Sequence, residues 1–169
     1  MGLAVDIDVA LTAGRSGLPA RARFRHWVEI AATACGVAEG EVAIRVVDRP
    51  EGALLNGRWR GRDGATNVLS FPAGDMPAVA GLTPHLGDLV LCAPVVREEA
   101  RLQGKPMAEH WAHLVVHGTL HLLGHDHECA VEAERMETLE RRLLAGLGIA
   151  DPYQPRQASP ASRRALNHE

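Results

Sequence analysis

At 169 residues the chain is long enough for one domain with a sizeable core. Its hydrophobic content of 46% is that of a globular protein, and aromatics at 4% leave Leu, Val, Ala and Ile to fill the interior. A net charge of -3 excludes a global basic footprint, so any nucleic-acid contact must use local positive charge.

Residues 3–11 (LAVDIDVAL) alternate apolar and acidic side chains, which predicts a half-buried strand. From about Ala20 to Cys35 apolar residues recur at helical spacing, with Gly36 as a stop. A second alternating strand covers 41–47, and a short helix follows at about 50–56. It leads into LLNGRWRGRDG, where Arg58, Arg60 and Arg62 are set on alternate positions around Trp59. Residues 66–72 (TNVLSFP) form a third strand closed by Pro72, with a polar face at Asn67 and Ser70. Gly and Pro make 73–86 an exposed loop. Residues 87–93 (GDLVLCA) are apolar on both faces, as in a central strand. A helix over 94–103 carries Pro94 in its first turn and Gly104 after its end. The next helix, about 106–123, is apolar nearly all round except for a histidine stripe, which predicts burial. The last helix, 130–147, turns Met136, Leu139, Leu143 and Leu147 inward. These elements predict a single α/β (α+β) domain over 1–153, with a four-stranded mixed sheet, surrounding helices and a buried central helix. The tail 154–169 has no pattern and is expected to be disordered.

Three well-separated cysteines, Cys35, Cys92 and Cys129, argue against a disulfide framework and for a reducing compartment. Cys129 is expected as a buried thiol at the start of the last helix. The first residues carry acidic groups and no basic n-region, and no apolar run reaches membrane-spanning length. A cytoplasmic protein without membrane contact is the expectation.

Chemistry concentrates in HGTLHLLGHDH, residues 117–127, which holds four of the nine histidines. On a helix, His117 and His121 share a face and can address one ion. His113 lies eight residues before His121, about 12 Å along a helix axis. Two nitrogens that each lie about 2 Å from one zinc cannot span that distance. A third ligand must come from beyond the helix, where Gly124 lets the chain reverse. His125 and His127 are both within reach; His127, two residues past the break, has more room to double back. Three histidines leave an open coordination position, the arrangement of a catalytic rather than a structural zinc. His110, His113 and His125 are assigned to packing or to supporting the ligands. The spacing matches the metzincin proteases, but those enzymes place Glu after the first His, and here that position is Gly118. The arginines around Trp59 offer guanidinium forks for phosphate and a stacking face for an unpaired base.

Three segments resemble the YbeY family of bacterial endoribonucleases. They are LNGRWRGRDGATNVLSFP at 55–72, HLGDLVL at 85–91, and HGTLHLLGHDH with the downstream Met136–Glu137 and LGIADPY at 147–153. The resemblance covers roughly residues 40–153. It implies one zinc ion on His117, His121 and His127, with Arg60 as the functional arginine. It also implies cleavage of single-stranded RNA in ribosomal RNA maturation, at the 3′ end of the small-subunit RNA, and in ribosome quality control. Two positions depart from the family pattern: His125 stands where Tyr is common, and Asn67 where many members have Asp. The nucleophile is open between water and the RNA's own 2′-hydroxyl. The competing expectations are a zinc peptidase or other amide hydrolase, which Gly118 disfavours, and a non-enzymatic ribosome-assembly factor with a structural zinc.

Overall fold

The computed structural model describes residues 2–11, 17–74, 83–125 and 129–154. The expected tail from 155 onward, most of the 73–86 loop, and Asp126 and His127 lie outside the described residues. Among the described residues nine elements run β1 (Leu3–Ala10), α1 (Arg21–Ala34), β2 (Gly40–Val47), α2 (Arg49–Arg60), β3 (Val68–Pro72), β4 (His85–Cys92), α3 (Ala93–Gln103), α4 (Met107–Leu122) and α5 (Ala130–Gly146). The four strands form one mixed sheet in the order β1-β2-β4-β3. β1, β2 and β4 are parallel, and β3 joins β4 antiparallel as an edge strand. Pro72, which cannot donate to a ladder, ends that edge strand, as its position in the sequence predicts.

One face of the sheet carries the main core. Val42, Ile44, Val46, Leu89 and Leu91 point into it and meet Phe24, Trp27 and Val28 of α1 and Trp111, Leu114 and Val115 of α4. Phe24 stacks edge-on against both Trp27 and Trp111, with ring centroids 5.8 and 5.7 Å apart. The opposite face holds a smaller cluster of Val47, Leu69, Val90 and Cys92 beneath Leu55 of α2. α4 is buried on most of its circumference, as its composition predicts.

Four expectations are corrected. α2 does not stop at 56. It continues to Arg60 and ends on Gly61 in the left-handed conformation, φ 64°, which a side-chain-bearing residue adopts only at a cost. Arg58, Trp59 and Arg60 therefore project from the last helical turn rather than alternating along a loop. β4 starts at His85, two residues earlier than glycine and proline content suggested, because pairing with β2 continues past Gly87, with Glu41 opposite His85. β3 has no polar face: Val68 and Ser70 face α4, while Leu69 and Phe71 face α2. Cys129 is exposed, since it occupies the N-cap of α5 instead of the helix's inward side.

The seat of α4 on the sheet depends on Gly118. A Cβ there would lie 2.9 Å from Leu89 Cδ2 and 3.3 Å from both Ser70 Oγ and Val68 Cγ2. Gly118→Ala is expected to overpack this contact and cost about 1–3 kcal/mol, measured as a lowered denaturant midpoint at unchanged slope.

A polar cluster ties α3, α4 and β3 together. The Glu99 carboxylate accepts from Asn67 Nδ2 at 2.9 Å and pairs with His110 Nε2 at 3.2 Å, while Asn67 Oδ1 accepts the Val68 N–H. Burial alone would raise the Glu99 pKa, but hydrogen bonds from His110 and Asn67 and the nearby imidazoles outweigh it and hold the carboxyl below its usual range. A depressed folded-state pKa contributes stability above the unfolded value, and that stability is lost as pH falls through the folded one. Acid unfolding should therefore include a Glu99-dependent loss below the ordinary carboxylate range. Glu99→Gln should flatten that limb of a stability-versus-pH curve.

Candidate metal centre

α4 presents His113, His117 and His121 one above another, as residues four apart on a helix must be. The His117 and His121 rings lie 4.9 Å apart between centroids, the His113 and His117 rings 6.0 Å. The helix closes just beyond. The Gly124 N–H donates to His121 O at 3.1 Å and the His125 N–H to Leu120 O at 3.0 Å, with Gly124 at φ 97°. This is the double hydrogen bond of a Schellman turn, and it redirects the chain at the position where glycine was expected to allow it. His127, the expected third ligand, follows this turn outside the described residues.

The residue that organises this stripe comes from α5. Glu140 is fully buried, 0% exposed. Its carboxylate is hydrogen-bonded to His117 Nδ1, to His113 Nε2 at 3.2 Å and to the Tyr153 hydroxyl. Burial pushes its pKa up, yet hydrogen bonds from His113 and His117, the His117 charge and the Tyr153 hydroxyl outweigh it and bring the value down to about 2. Glu140 is thus an ion at neutral pH and can only accept. The His117 Nδ1–H must donate to it, which in the neutral ring puts the remaining lone pair on Nε2. The same reasoning has His113 donate from Nε2. Burial lowers the His113 pKa, and the Glu140 hydrogen bond opposes but does not cancel that. Burial and the adjacent Glu140 push the Tyr153 phenol upward, so it stays a donor. Arg141 lies over the Tyr153 ring and pairs with Asp151, which fixes the segment bearing Tyr153.

Among the described residues, His113, His117 and Glu140 bring one donor atom each within 4.8 Å of one another, a group that could hold a metal ion. The donor chemistry of the stripe, imidazole nitrogens with a carboxylate behind them, fits a divalent transition ion.

Glu140 and Tyr153 escaped the sequence reading. The sequence pattern puts Met136, Leu139, Leu143 and Leu147 on the inward line of α5. The fully buried line is Met136, Glu140 and Leu144, with the other three leucines packed partly buried around it. The signal was a Glu at i+4 from one core residue and i-4 from another. His110, expected to pack or support, belongs to the Glu99 cluster, whereas His113, given the same expectation, is one of the three residues of the possible metal group. Asn67 serves Glu99 rather than the stripe. Arg60 reaches towards α4 indirectly: Nη2 donates to Ser70 O at 3.2 Å, and Ser70 Oγ donates to Gly118 O, also at 3.2 Å.

Comparison with known proteins gives the family. The family described as Endoribonuclease YbeY matches residues 16–148. The chain belongs to the YbeY family. Endoribonuclease YbeY of Alkalilimnicola ehrlichii is 61% identical over 152 residues, covering 89% of this chain and 92% of the relative. Endoribonuclease YbeY of Xanthomonas axonopodis pv. citri is 56% identical over 154 residues, covering 88% and 93%. The solution structure of TM1509 from Thermotoga maritima shares the fold at a TM-score of 0.52 and 23% identity, across 89% of this chain and 99% of the other. The YbeY resemblance seen in the sequence is therefore correct.

Removing the buried carboxylate strands three donors at once. Glu140→Ala is expected to destabilise the protein by about 3–5 kcal/mol in equilibrium unfolding.

Proposed function

We propose that this protein is a zinc-dependent endoribonuclease that cleaves single-stranded RNA. Its substrate would be ribosomal RNA, at the 3′ end of the small-subunit RNA, during maturation and ribosome quality control. The observation that carries the reading is the buried, ionised Glu140 behind His117. A carboxylate that takes the Nδ1 proton of a partly exposed imidazole leaves Nε2 as a lone-pair donor, the arrangement behind metal-ligating histidines. Curated relatives named Endoribonuclease YbeY, more than half identical in sequence, support the reaction class.

His117, His121 and His127 would hold one zinc per chain. When bound, such an ion supplies Lewis acidity towards a phosphoryl oxygen and towards water. The chain's own residues do the rest. Glu140 fixes the His117 ring and its tautomer, and Tyr153 and His113 fix Glu140. Arg60 spends one donor on Ser70 O and has further guanidinium N–H groups to match charge that develops on the phosphate. Residues 1–153 would carry the activity, in the cytoplasm, with the small ribosomal subunit as partner and no membrane. No helix among the described residues is long and apolar enough to cross one. A peptidase fits poorly: the position of the missing base is Gly118, pressed against β3 and β4, where no glutamate could stand.

His117→Ala and His121→Ala should lose both bound zinc and cleavage. Arg60→Glu should keep the metal and lose roughly a hundredfold or more in rate. Metal content by elemental analysis and cleavage of single- against double-stranded RNA check these together. Full cleavage by metal-stripped protein, with contaminating nuclease excluded, would overturn the mechanism. The cluster of His113, His117 and Glu140 favours a second placement of the ion. That placement requires His113→Ala to lose zinc and His121→Ala to keep it.

A further inference from the structure

Helix α2 covers only part of the sheet face opposite α4, and a trough of about 700 Å³ lies along its open side. One wall is the line Glu51, Leu55 and Trp59, residues four apart on α2. The floor crosses three strands in register: Arg45 beside Val90, and Asp88 beside Phe71. Arg60, Ser70 and Pro72 complete the lining. Trp59 is 60% exposed and meets Phe71 edge-on, with ring centroids 6.0 Å apart. The Arg58 guanidinium lies 5.6 Å from its ring centroid.

We propose that this trough is a nucleobase subsite, in which an unpaired base of the RNA strand stacks on Trp59 while its flanking phosphates lie against Arg58 and Arg60. The inference rests on the endoribonuclease reading and adds a binding site to it. Its charges sort the occupant. The Trp59 end carries two guanidiniums, which suit phosphate. Two carboxylates limit where phosphate can lie: Asp88, on the floor beside Phe71 and paired with His85, and Glu51, two turns back along α2 from Trp59 and paired with Arg45; both repel phosphate and keep lone pairs that accept from N–H groups. Arg45 already pairs with Glu51 and Asp8, so it does not offset both carboxylates for an anion. A base whose amino edge faces the floor carboxylate and whose phosphates lie outward against the arginines satisfies both signs of charge, and an aromatic wall supplies stacking for any base. An apolar peptide side chain would fill the floor but leave the guanidiniums unmatched. Arg60 belongs to both places. It lines the trough, and through Ser70 it is linked to Gly118, the neighbour of His117. A strand gripped at Arg60 would present one nucleotide to the trough and the next linkage to the β3 edge beside α4.

The test uses zinc-loaded protein and a short 2′-O-methyl single strand, which keeps the bases and phosphates of RNA, removes the 2′-hydroxyl as nucleophile, and is checked by gel to be intact after each titration. Affinity is read by anisotropy, and stacking by quenching of the exposed Trp59. Trp27 and Trp111 are buried and contribute little to that quenching. Trp59→Ala should weaken binding roughly five- to hundredfold and abolish the quenching, and Trp59→Phe should restore much of the affinity. Abasic substitution along the strand should find one position whose base matters to the wild type and not to Trp59→Ala, the signature of a direct pair. Wild-type affinity in Trp59→Ala, or an abasic profile identical in both proteins, would overturn the subsite and assign the trough to an apolar protein segment. Cleavage of unmodified RNA by the same wild-type sample separates the two readings. If cleavage persists while Trp59 is indifferent, only the subsite falls. If the wild type neither binds nor cleaves single strands, the nuclease reading falls and takes the subsite with it.

Discussion

The site depends on a single buried charge. Glu140 is enclosed by α4, α5 and the segment around Tyr153, and every hydrogen bond it accepts fixes a neighbour's proton. An isolated carboxylate at that depth would cost several kcal/mol and escape by protonation. With three donors aimed at it, the anion is instead the favoured form. That choice propagates outward: the anion sets the His117 tautomer, and the tautomer sets which nitrogen can meet an ion. The same bonds hold α5 against α4, so the arrangement of the site and the packing of the C-terminal half are one interaction.

The other side of α4 is under an equally tight constraint. Gly118 brings the helix so close to β3 and β4 that one added methyl group would meet Leu89, Ser70 and Val68 together. The helix is thus held between a hydrogen-bonded carboxylate and a close-packed sheet. Its rotation about its own axis is fixed from two directions, and with it the direction of the histidine stripe. The residue that distinguishes this motif from a metzincin is also the one that seats the helix. Catalytic difference and packing requirement coincide at Gly118.

Much of this was legible in the sequence because the signals were periodic. The alternation of 3–11 and 41–47, the doubly apolar 87–93 and the apolar α4 each report how many of an element's faces are covered, and 87–93 is an internal strand as its pattern predicts, whereas the like patterns of β1 and β2 do not tell the edge strand from the internal one. The turn at Gly124 was legible because only that backbone conformation lets the chain reverse there. What escaped were features without a local signature. α2 runs on to Arg60 through Gly57, a poor helix former, because the Leu55 and Trp59 side packs over β4 and β3. Glu140 resembles any exposed helical glutamate until its partners on another helix are known. Cys129 looks like a core thiol by composition, yet a cap position faces outward. Long-range pairing and tertiary hydrogen bonding decide such residues, and a linear pattern carries neither.

The order of the elements along the chain has a consequence for biosynthesis. His113 and His117 are made before Glu140, and Glu140 before Tyr153, so these imidazoles leave the ribosome without the carboxylate that sets their proton positions. Until α5 docks, α4 also lacks cover for its stripe side. The histidines thus acquire their fixed tautomers only when the final helix and the segment after it have folded back. A nascent chain would carry an immature cluster through most of its synthesis, and the cluster would be completed by the last part of the domain to appear.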